Sequence, residues 1–333
     1  MILPKKITPQ SKINLIHTSS PIGKADFNYF VSSIMRLSKK FPNTEIFDVE
    51  RTELDPRYLA ASERERLKKF RQAINNVDWL APIFGGTGCE DIVRYFDDHD
   101  LAEIRKNRPI INGFSDTTFL INYVFFKLKL ITFHYSNASG IFLSDNYRLF
   151  FDVIQGNIQS FSFLENNYDW LTSNEPQSPI EGIAIGGNFS TFRDLLDVVD
   201  LKVTSWRPYI LFIEEIGTDV EDLHRLIIAL DAKGIFRNIR ALVIGRMNEK
   251  EISSNLRRFN VIFGQPTGEI EHVVEYLLSN IIKERLKKND PLHILKVDNL
   301  GHGVRKNTML IPIGAKTVIY PDKKIEFQGP FVE

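Results

Sequence analysis

Four short segments of the chain place glycines or polar side chains directly after apolar runs, where strands are expected to end. These segments are Gly85-Gly86-Thr87-Gly88, the stretch around Ser115, the pair Glu214-Glu215 and the stretch around His302. The carboxyl ends of the strands in an open α/β sheet form the crevice where ligands bind. Serine, carboxylate and histidine side chains are used in nucleophilic catalysis. Each segment is therefore a candidate part of a catalytic site.

The glycine segment follows the apolar run Val77–Phe84, which is typical of a strand buried on both faces. Its three glycines would let the backbone approach a ligand closely, and N–H groups at the next helix start could bind an anion. The spacing is not the G-x-G-x-x-G of dinucleotide-binding proteins. The alternative interpretation is a tight turn between a strand and a helix, and spacing alone favours it.

Ser115 stands between a predicted strand at 108–112 and a predicted helix from about 117 to 128. This is the arrangement of a nucleophile elbow, where Oγ is exposed and the following N–H groups face an oxyanion. The segment has Thr117 where the G-x-S-x-G motif of hydrolases has a glycine, so that motif is not met. The motif alone favours the alternative that Ser115 or Asp116 caps the helix.

Glu214 and Glu215 end the apolar run Ile210–Ile213, where ionised groups are costly unless they are paired or exposed. Either glutamate could orient a histidine, or both could lie exposed at the end of the strand. His302, with a glycine on each side, could act as a general base near neutral pH. A loop histidine without a catalytic role is the more common case when the residue is considered alone.

The elements that would position these residues alternate between strands and helices. In the first half the patterns predict strands at 12–18, 44–49, 77–84 and 108–112, and helices at 25–41, 62–76, 90–97 and 117–128. In the second half they predict strands at 181–185, 209–214 and 241–246, helices at 190–199, 220–232 and 269–287, and short strands from 292 to 327. Alternation implies parallel pairing through right-handed crossovers, and hence an α/β fold.

Residues 165–180 form the best predicted linker, since they are polar, rich in turn formers and without periodicity. We therefore predict an N-terminal domain at 1–164 that carries the nucleophile. A C-terminal domain at 181–333 would carry the glutamate and the histidine.

Composition excludes several classes of function. The chain has 333 residues with 42 basic and 42 acidic side chains, which argues against a nucleic-acid binder that uses a broad basic field. A single cysteine, Cys89, fits a reducing compartment, and neither a signal peptide nor a membrane segment is predicted. Histidines, the cysteine and carboxylates do not cluster at metal-ligand spacing. The sequence thus predicts a cytoplasmic globular protein without a metal site.

Taken in order, the segments resemble the LD-carboxypeptidase family, which includes murein-tetrapeptide carboxypeptidases and microcin C immunity proteins. The similar segments are Ile16–Pro21, Gly85-Gly86, Gly113–Thr118, Leu130–His134, Gly186–Ser190, Ile210–Glu214, Gly301-His302 and Pro312-Ile313-Gly314. They extend over nearly the whole chain. The resemblance implies a Rossmann-like N-terminal domain with a parallel sheet and a smaller, β-rich α/β C-terminal domain.

The resemblance also implies a Ser–Glu–His triad contributed by both domains. By position, the nucleophile falls on Ser115, the orienting carboxylate on Glu214 and the general base on His302. Glu215 is the competitor for the orienting role. The reaction would be acyl transfer to the serine followed by hydrolysis, without a metal or an organic cofactor.

The oxyanion hole would be formed by the backbone N–H groups of Gly86 and Asp116. The candidate substrate-binding residues are Gly85, Thr87, Asn188 and Arg94. Murein-type members often carry an arginine after the glycines for the terminal carboxylate of the substrate, whereas this chain has Cys89-Glu90-Asp91. Arg94, about one turn further along, could compensate for the acidic residues.

Three functions remain open at this point. The first is release of terminal D-alanine from a murein tetrapeptide, and the second is hydrolysis of peptidyl-nucleotide compounds, as in the immunity-type members. The third is a binding protein that keeps the fold without turnover, which the Cys89-Glu90-Asp91 departure motivates. The resemblance further suggests a homodimer.

Overall fold

The computed structural model describes residues 1–24, 26–49, 59–172, 175–249 and 270–333. Its strands are β1 (Ile13–Ile16), β2 (Thr44–Phe47), β3 (Trp79–Pro82), β4 (Ile110–Gly113), β5 (Thr132–His134), β6 (Ser160–Phe163), β7 (Asp169–Trp170), β8 (Ile180–Asn188), β9 (Tyr209–Thr218), β10 (Ala241–Glu249), β11 (His293–Lys296), β12 (Ile311–Ile313), β13 (Lys316–Ile319) and β14 (Ile325–Gln328). Its helices are α1 (Phe27–Lys40), α2 (Glu63–Ala73), α3 (Cys89–Val93), α4 (Asp98–Asn107), α5 (Thr118–Leu128), α6 (Tyr147–Ile154), α7 (Phe189–Val198), α8 (Val220–Ala232), α9 (Ile270–Leu277) and α10 (Ser279–Lys287).

The first sheet has six strands in the order β12-β5-β4-β3-β1-β2. Strands β1 to β5 are parallel to their neighbours, and β12 pairs with β5 in the antiparallel sense. Every residue of β1, β3 and β4 is buried, because helices cover both faces of a parallel sheet and apolar runs fit there.

The second sheet has eight strands in the order β6-β14-β13-β8-β9-β10-β11-β7. Its centre, β8 to β11, is parallel, and antiparallel strands extend it on both sides. The fold is therefore mixed α/β with a parallel N-terminal sheet, which confirms the predicted fold class.

Helix α5 connects the two sheets. Ten of its eleven residues are buried, and it packs against α7 and β8 of the second half as well as β4 and β5 of the first. The side chain of Asn122 in α5 donates to the carbonyl of Gly186 at 2.8 Å and accepts from its N–H at 3.0 Å. The two halves of the chain thus share one hydrophobic core.

Several predicted boundaries differ from the observed ones. The helix predicted at 90–97 is the short α3, and α4 follows it as a separate helix with its own capping box at Asp97 and Asp100. The helix predicted at 269–287 is two helices that meet at Leu278, and residue 269 lies outside the described part.

Three strands do not follow the predicted division of the chain into two domains at the linker. Strand β7 falls inside the linker segment and pairs with β11, while β6 precedes the linker and pairs with β14. Strand β12 follows the linker and joins the first sheet. The domain boundaries at 164 and 181 stay a prediction.

Among the described helices, none combines the length and the apolar character that crossing a membrane requires.

Candidate active site

Ser115 lies at the sharp turn between β4 and α5. Its φ is +62°, a left-handed conformation that is uncommon outside glycine and typical of a nucleophile elbow. The turn is fixed around the preceding residue: the N–H of Phe114 donates to Thr117 Oγ1 at 2.6 Å and to Asn137 Oδ1 at 3.1 Å. A Cβ at Gly113 would lie 2.6 Å from Thr117 Oγ1, so glycine is required there. The surroundings therefore hold Ser115 in its strained conformation.

Neither residue considered as a cap of α5 caps that helix. The N-cap of α5 is Thr117, and no side chain hydrogen bond caps the helix. Asp116 instead accepts a hydrogen bond from the N–H of Cys89, the first residue of α3, at 2.9 Å. Burial raises the pKa of Asp116 to about 7, although a hydrogen bond from Ser19 acts in the opposite direction. Through this hydrogen bond Asp116 links the turn at Ser115 to α3, the helix that follows the glycine segment.

The glycine segment packs directly on Ser115. A Cβ at Gly85 would lie 3.1 Å from Cβ of Ser115 and 3.4 Å from its Oγ. Gly86 has a φ of +101°, and a Cβ there would lie 2.4 Å from Ser20 Oγ. Ser20 donates its N–H to the Gly85 carbonyl at 3.1 Å and accepts from the Thr87 N–H at 3.2 Å. The close approach of backbone to nucleophile explains why glycines occupy these positions.

A buried arginine to which the sequence did not point contacts the glycine segment and stabilises it. Arg66 in α2 is fully buried, and its guanidinium donates to the carbonyls of Thr18, Gly88 and Ala61. It also pairs with Asp91 at 3.3 Å. In the sequence Arg66 is one of several charged residues on an amphipathic helix. Its spacing of four and seven residues from Phe70 and Ala73 places it on the buried face, which is the signal that could have identified it.

Glu214 and His302 form a close pair. Oε2 of Glu214 lies 2.7 Å from Nδ1 of His302 and accepts the backbone N–H of that residue at 3.2 Å. Glu214 is fully buried inside β9, which continues to Thr218 and does not end at the predicted residue 214. Gly301 has a φ of +124° and a Cβ there would lie 3.2 Å from Cβ of Glu214, so a glycine lets the histidine loop approach the strand.

The pair is electrostatically coupled. Burial acts to lower the pKa of His302, but the charge and hydrogen bond of Glu214, together with the charge of Glu215, outweigh it and raise the pKa. The ring of His302 also packs on Phe114, with centroids 4.5 Å apart. His302 is thereby oriented through Nδ1, as in triads where a carboxylate fixes the tautomer.

Glu215 points elsewhere and contacts the start of α7. Its carboxylate accepts from the Ser190 N–H at 2.7 Å, from Asn188 Nδ2 at 2.9 Å and from the Ile216 N–H at 2.9 Å. Asn188 is the N-cap of α7 and accepts from the Thr191 N–H. Among the described contacts, Glu214 rather than Glu215 meets the histidine.

Ser115 and His302 line one cavity of about 320 Å³, although they come from different halves of the chain. The glycines Gly85 and Gly86 lie in the same wall. Phe84, Phe114 and Gly303, which belong to segments named from the sequence, also line it. The remaining lining residues, to which the sequence did not point, are Asp26, Tyr29, Ser136, Asn137, Ser139, Gly140, Leu143, Ser144, Val304 and Arg305. Arg305 is the only arginine or lysine among the described lining residues, and it stands three positions after His302.

Three of the candidate substrate-binding residues do not line this cavity as the structure describes it. Thr87 binds Ser20 through its backbone, and Asn188 is buried at the cap of α7. Arg94 faces Asp91 at 3.7 Å and Glu63 at 3.9 Å, away from the lining residues. The short α3 directs Arg94 to these carboxylates.

One group of potential metal ligands occurs in the described part of the chain, at Asp97, His99 and Asp100. Asp97 accepts from the N–H groups of His99 and Asp100 at the start of α4. Both carboxylates also bind Arg71. The hydrogen bonds show a helix cap.

Two family models match the chain. Residues 13–135 match the LD-carboxypeptidase N-terminal domain and residues 181–319 match the LD-carboxypeptidase C-terminal domain. The chain belongs to the LD-carboxypeptidase family. This confirms the resemblance inferred from the sequence and makes the protein a serine peptidase of the LD-carboxypeptidase type.

Relatives within the LD-carboxypeptidase family carry two kinds of name. A Vibrio cholerae protein named as a carboxypeptidase is 26% identical over 275 residues, which are 74% of this chain and 80% of that protein. The microcin C7 self-immunity protein of Escherichia coli is 23% identical over 236 residues, or 60% of this chain and 66% of its own length.

Solved structures of both kinds share the fold. The microcin C7 self-immunity protein in complex with aspartyl sulfamoyl adenosine superposes with a TM-score of 0.77 over 100% of both chains at 19% identity. Muramoyltetrapeptide carboxypeptidase from Oxalobacter formigenes superposes with a TM-score of 0.68 over 97% of this chain and 100% of that one at 18% identity.

Proposed function

We propose that this protein hydrolyses an amide bond in a small peptide-like substrate by acyl transfer to Ser115. The observation that carries the proposal is the Glu214–His302 pair at 2.7 Å, whose histidine faces the cavity that the strained Ser115 also lines. Of the two kinds of relative, the proposal commits to the carboxypeptidase type, with a terminal D-alanine as leaving group.

In the first half of the reaction, Nε2 of His302 accepts the proton of Ser115 while Oγ forms a bond to the amide carbonyl carbon. Glu214 holds the imidazole in the tautomer with the proton on Nδ1 and stabilises the imidazolium that forms. The C–N bond then breaks, and the proton on Nε2 passes to the leaving amine.

In the second half, His302 removes a proton from water while the water oxygen forms a bond to the acyl carbonyl carbon. The ester bond to Oγ then breaks, and the proton on Nε2 passes to Oγ and restores Ser115. The N–H groups of Gly86 and Asp116 are the proposed donors to the oxyanion in both halves, and one such donor is often worth about 3 kcal/mol. Supporting this role, Gly85 packs on Ser115 and the Asp116 carboxylate ties the serine turn to α3.

Arg305 is the proposed partner of the substrate carboxylate. The expected partner, Arg94, already faces two carboxylates, whereas Arg305 is exposed and lines the cavity with Ser115. Arg305→Met should therefore raise KM for a tetrapeptide with a free terminal carboxylate far more than for its amide. Lys306→Met is the matched control, because Lys306 lines the neighbouring cavity and not this one. Equal effects of both variants would contradict the assignment.

The second candidate function is hydrolysis of peptidyl-nucleotide compounds. It is supported by the superposition on a relative that binds aspartyl sulfamoyl adenosine, and by the aromatic side chains of Tyr29, Phe84 and Phe114 in the cavity. Aromatic faces can stack on a base.

The proposals of a homodimer and of a cytoplasmic location rest on the family resemblance and on composition, and light scattering tests the former.

Product analysis by mass spectrometry distinguishes the candidates. The full chain is incubated with a murein tetrapeptide that ends in D-alanine and, separately, with aspartyl sulfamoyl adenosine. Release of D-alanine is expected, and its loss in Ser115→Ala would attribute it to the nucleophile. Cleavage of the adenosine compound alone would favour the second function. No cleavage of either, with no labelling of Ser115 by a serine-directed probe, would contradict the enzymatic proposal.

A further inference from the structure

A second histidine, His134, lies buried beside the proposed triad and has no part in the chemistry described above. It ends β5, is 1% exposed, and neither of its ring nitrogens has a hydrogen-bond partner among the described residues. A neutral imidazole carries one N–H donor, and a buried donor without an acceptor is unfavourable. The ring therefore requires an acceptor nearby.

Glu214 carries a buried acceptor oxygen that likewise has no hydrogen-bond partner among the described residues. Its Oε2 is bound to His302, whereas its Oε1 is buried without a hydrogen-bond partner in the described part of the chain. A buried ion pair repays its desolvation only where further hydrogen bonds satisfy the remaining lone pairs of the carboxylate. A donor without an acceptor and an acceptor without a donor thus occur in one region of the molecule.

The ring of His134 faces the strand next to Glu214. A Cβ at Gly187 would lie 2.6 Å from Cδ2 and 3.0 Å from Nε2 of His134, so this edge of the ring is directed at β8. The next residue, Asn188, is the partner of Glu214 in the β8–β9 register. The ring edge with Nε2 is therefore the one that faces β8, the strand paired with β9.

A small cavity adjoins the same residues. Its volume is about 60 Å³, and its lining includes His134, Phe114 and Gly301. Gly301 lies against Glu214, and the Phe114 ring has its centroid 5.3 Å from that of His134. The volume is sufficient for a water molecule.

The charge state of His134 fits a donor. Burial lowers its pKa to about 4, with the charge of Glu214 opposing this shift and that of His302 adding to it. These are the titratable groups that act on His134, and Glu215 acts in turn on His302. At neutral pH the ring of His134 is uncharged and can donate a hydrogen bond. Its presence therefore adds no second positive charge beside Glu214 when His302 is protonated.

We propose that His134 is a positioning residue that donates a hydrogen bond from Nε2 to Oε1 of Glu214, directly or through one water molecule in the small cavity. The bond keeps the Glu214 carboxylate turned towards His302. The inference rests on the proposed function, in which His302 must be neutral to accept the serine proton. Without the donor, the charge of Glu214 acts on the imidazolium of His302 alone and holds the proton there more strongly. The pKa of His302 then rises.

Three variants test the bond. His134→Gln keeps an N–H near the position of Nε2, His134→Asn has one only near Nδ1, and His134→Phe keeps the ring shape without a donor. The pKa of His302 is measured by NMR titration of the full chain in a Ser115→Ala background, which needs no turnover. We expect the Phe and Asn variants to raise this pKa by about one unit, and the Gln variant to restore it.

The control is His293→Gln, which replaces a buried histidine at the opposite, amino end of the parallel strands. An unchanged pKa of His302 in His134→Phe would overturn the inference. If that variant does not fold, equal pKa values in the Gln and Asn variants would overturn it instead. A raised pKa in a protein that cleaves neither substrate class would support the bond and count against the proposed function, so the two failures are distinguishable.

Discussion

Two adjacent glutamates in the middle of β9 have different partners because successive side chains of a strand point to opposite faces. Glu214 faces His302, and Glu215 faces the N–H groups at the start of α7. The sequence shows two carboxylates and their alternation, but it does not show which face the histidine loop approaches. That depends on Gly301, whose contact with Glu214 joins segments 87 residues apart.

Replacing each glutamate by glutamine separates these roles. Glu214→Gln should lower kcat roughly 10³- to 10⁴-fold, because the imidazole loses the carboxylate that fixes its tautomer. It should also lower the pKa of His302, so the acid limb of the activity profile moves to lower pH. Glu215→Gln should cost about 1–3 kcal/mol of stability, since one of its three N–H donors loses an acceptor.

The measurements are kcat against pH and urea unfolding for both variants. A larger loss of kcat in Glu215→Gln than in Glu214→Gln would reverse the assignment of the orienting carboxylate.

At the scale of elements, the strands that carry site residues were predicted within a few residues because they are apolar runs that end in glycine or polar residues. Helix α4 was missed because its segment, DHDLAEIRKN, is mostly charged and buries few residues against the fold. Strand β12 was predicted only as part of a strand-rich region. Its pairing with β5 joins residues far apart in sequence, and three residues carry no local signal for a partner.

The contact between the serine turn and α3 is an element-scale feature with a titratable residue at its centre. Asp116 accepts from the Cys89 N–H, and burial raises its pKa from the usual range of a carboxyl to about 7. A carboxyl with a raised folded-state pKa binds its proton more tightly when folded. Its contribution to stability is full below the unfolded pKa and is lost as the pH rises through about 7.

We therefore expect the wild-type protein to lose stability relative to Asp116→Asn as the pH rises from about 4 to about 7. Asparagine keeps an acceptor for the Cys89 N–H but does not ionise. Urea unfolding of both proteins across this range measures the difference, with Asp78→Asn as a control at a less buried carboxylate that also accepts a backbone N–H. Parallel stability profiles for wild type and Asp116→Asn would contradict the expectation.

At the scale of the whole molecule, the site exists only because the two halves dock. Ser115 follows a strand of the first sheet, whereas Glu214 lies within a strand of the second sheet and His302 in the loop after β11. Composition and periodicity say nothing about how the sheets meet. The family resemblance implied the convergence of the three residues. It did not indicate Arg66, which supports the glycine segment, or Asp26 and Arg305, which line the cavity from different halves of the chain.

Asn122 is a test of that docking. It lies fully buried in α5 and binds both the N–H and the carbonyl of Gly186 in β8, so Asn122→Ala leaves two backbone groups of the second half without partners. Each should cost about 1–3 kcal/mol. Because Ser115 begins the turn into α5, kcat/KM should fall about tenfold or more as the nucleophile shifts relative to His302.

Asn238→Ala is the matched control, since its side chain amide donates to the Gly234 carbonyl within the second half alone. Urea unfolding and kcat/KM on the cleaved substrate are measured for both variants, and the control should lose little stability and no activity. If both variants unfolded at the same urea concentration and kept the wild-type kcat/KM, the hydrogen bonds of Asn122 would not stabilise the contact between the two halves. A loss of stability in Asn122→Ala with unchanged kcat/KM would instead mean that the position of Ser115 does not depend on this contact.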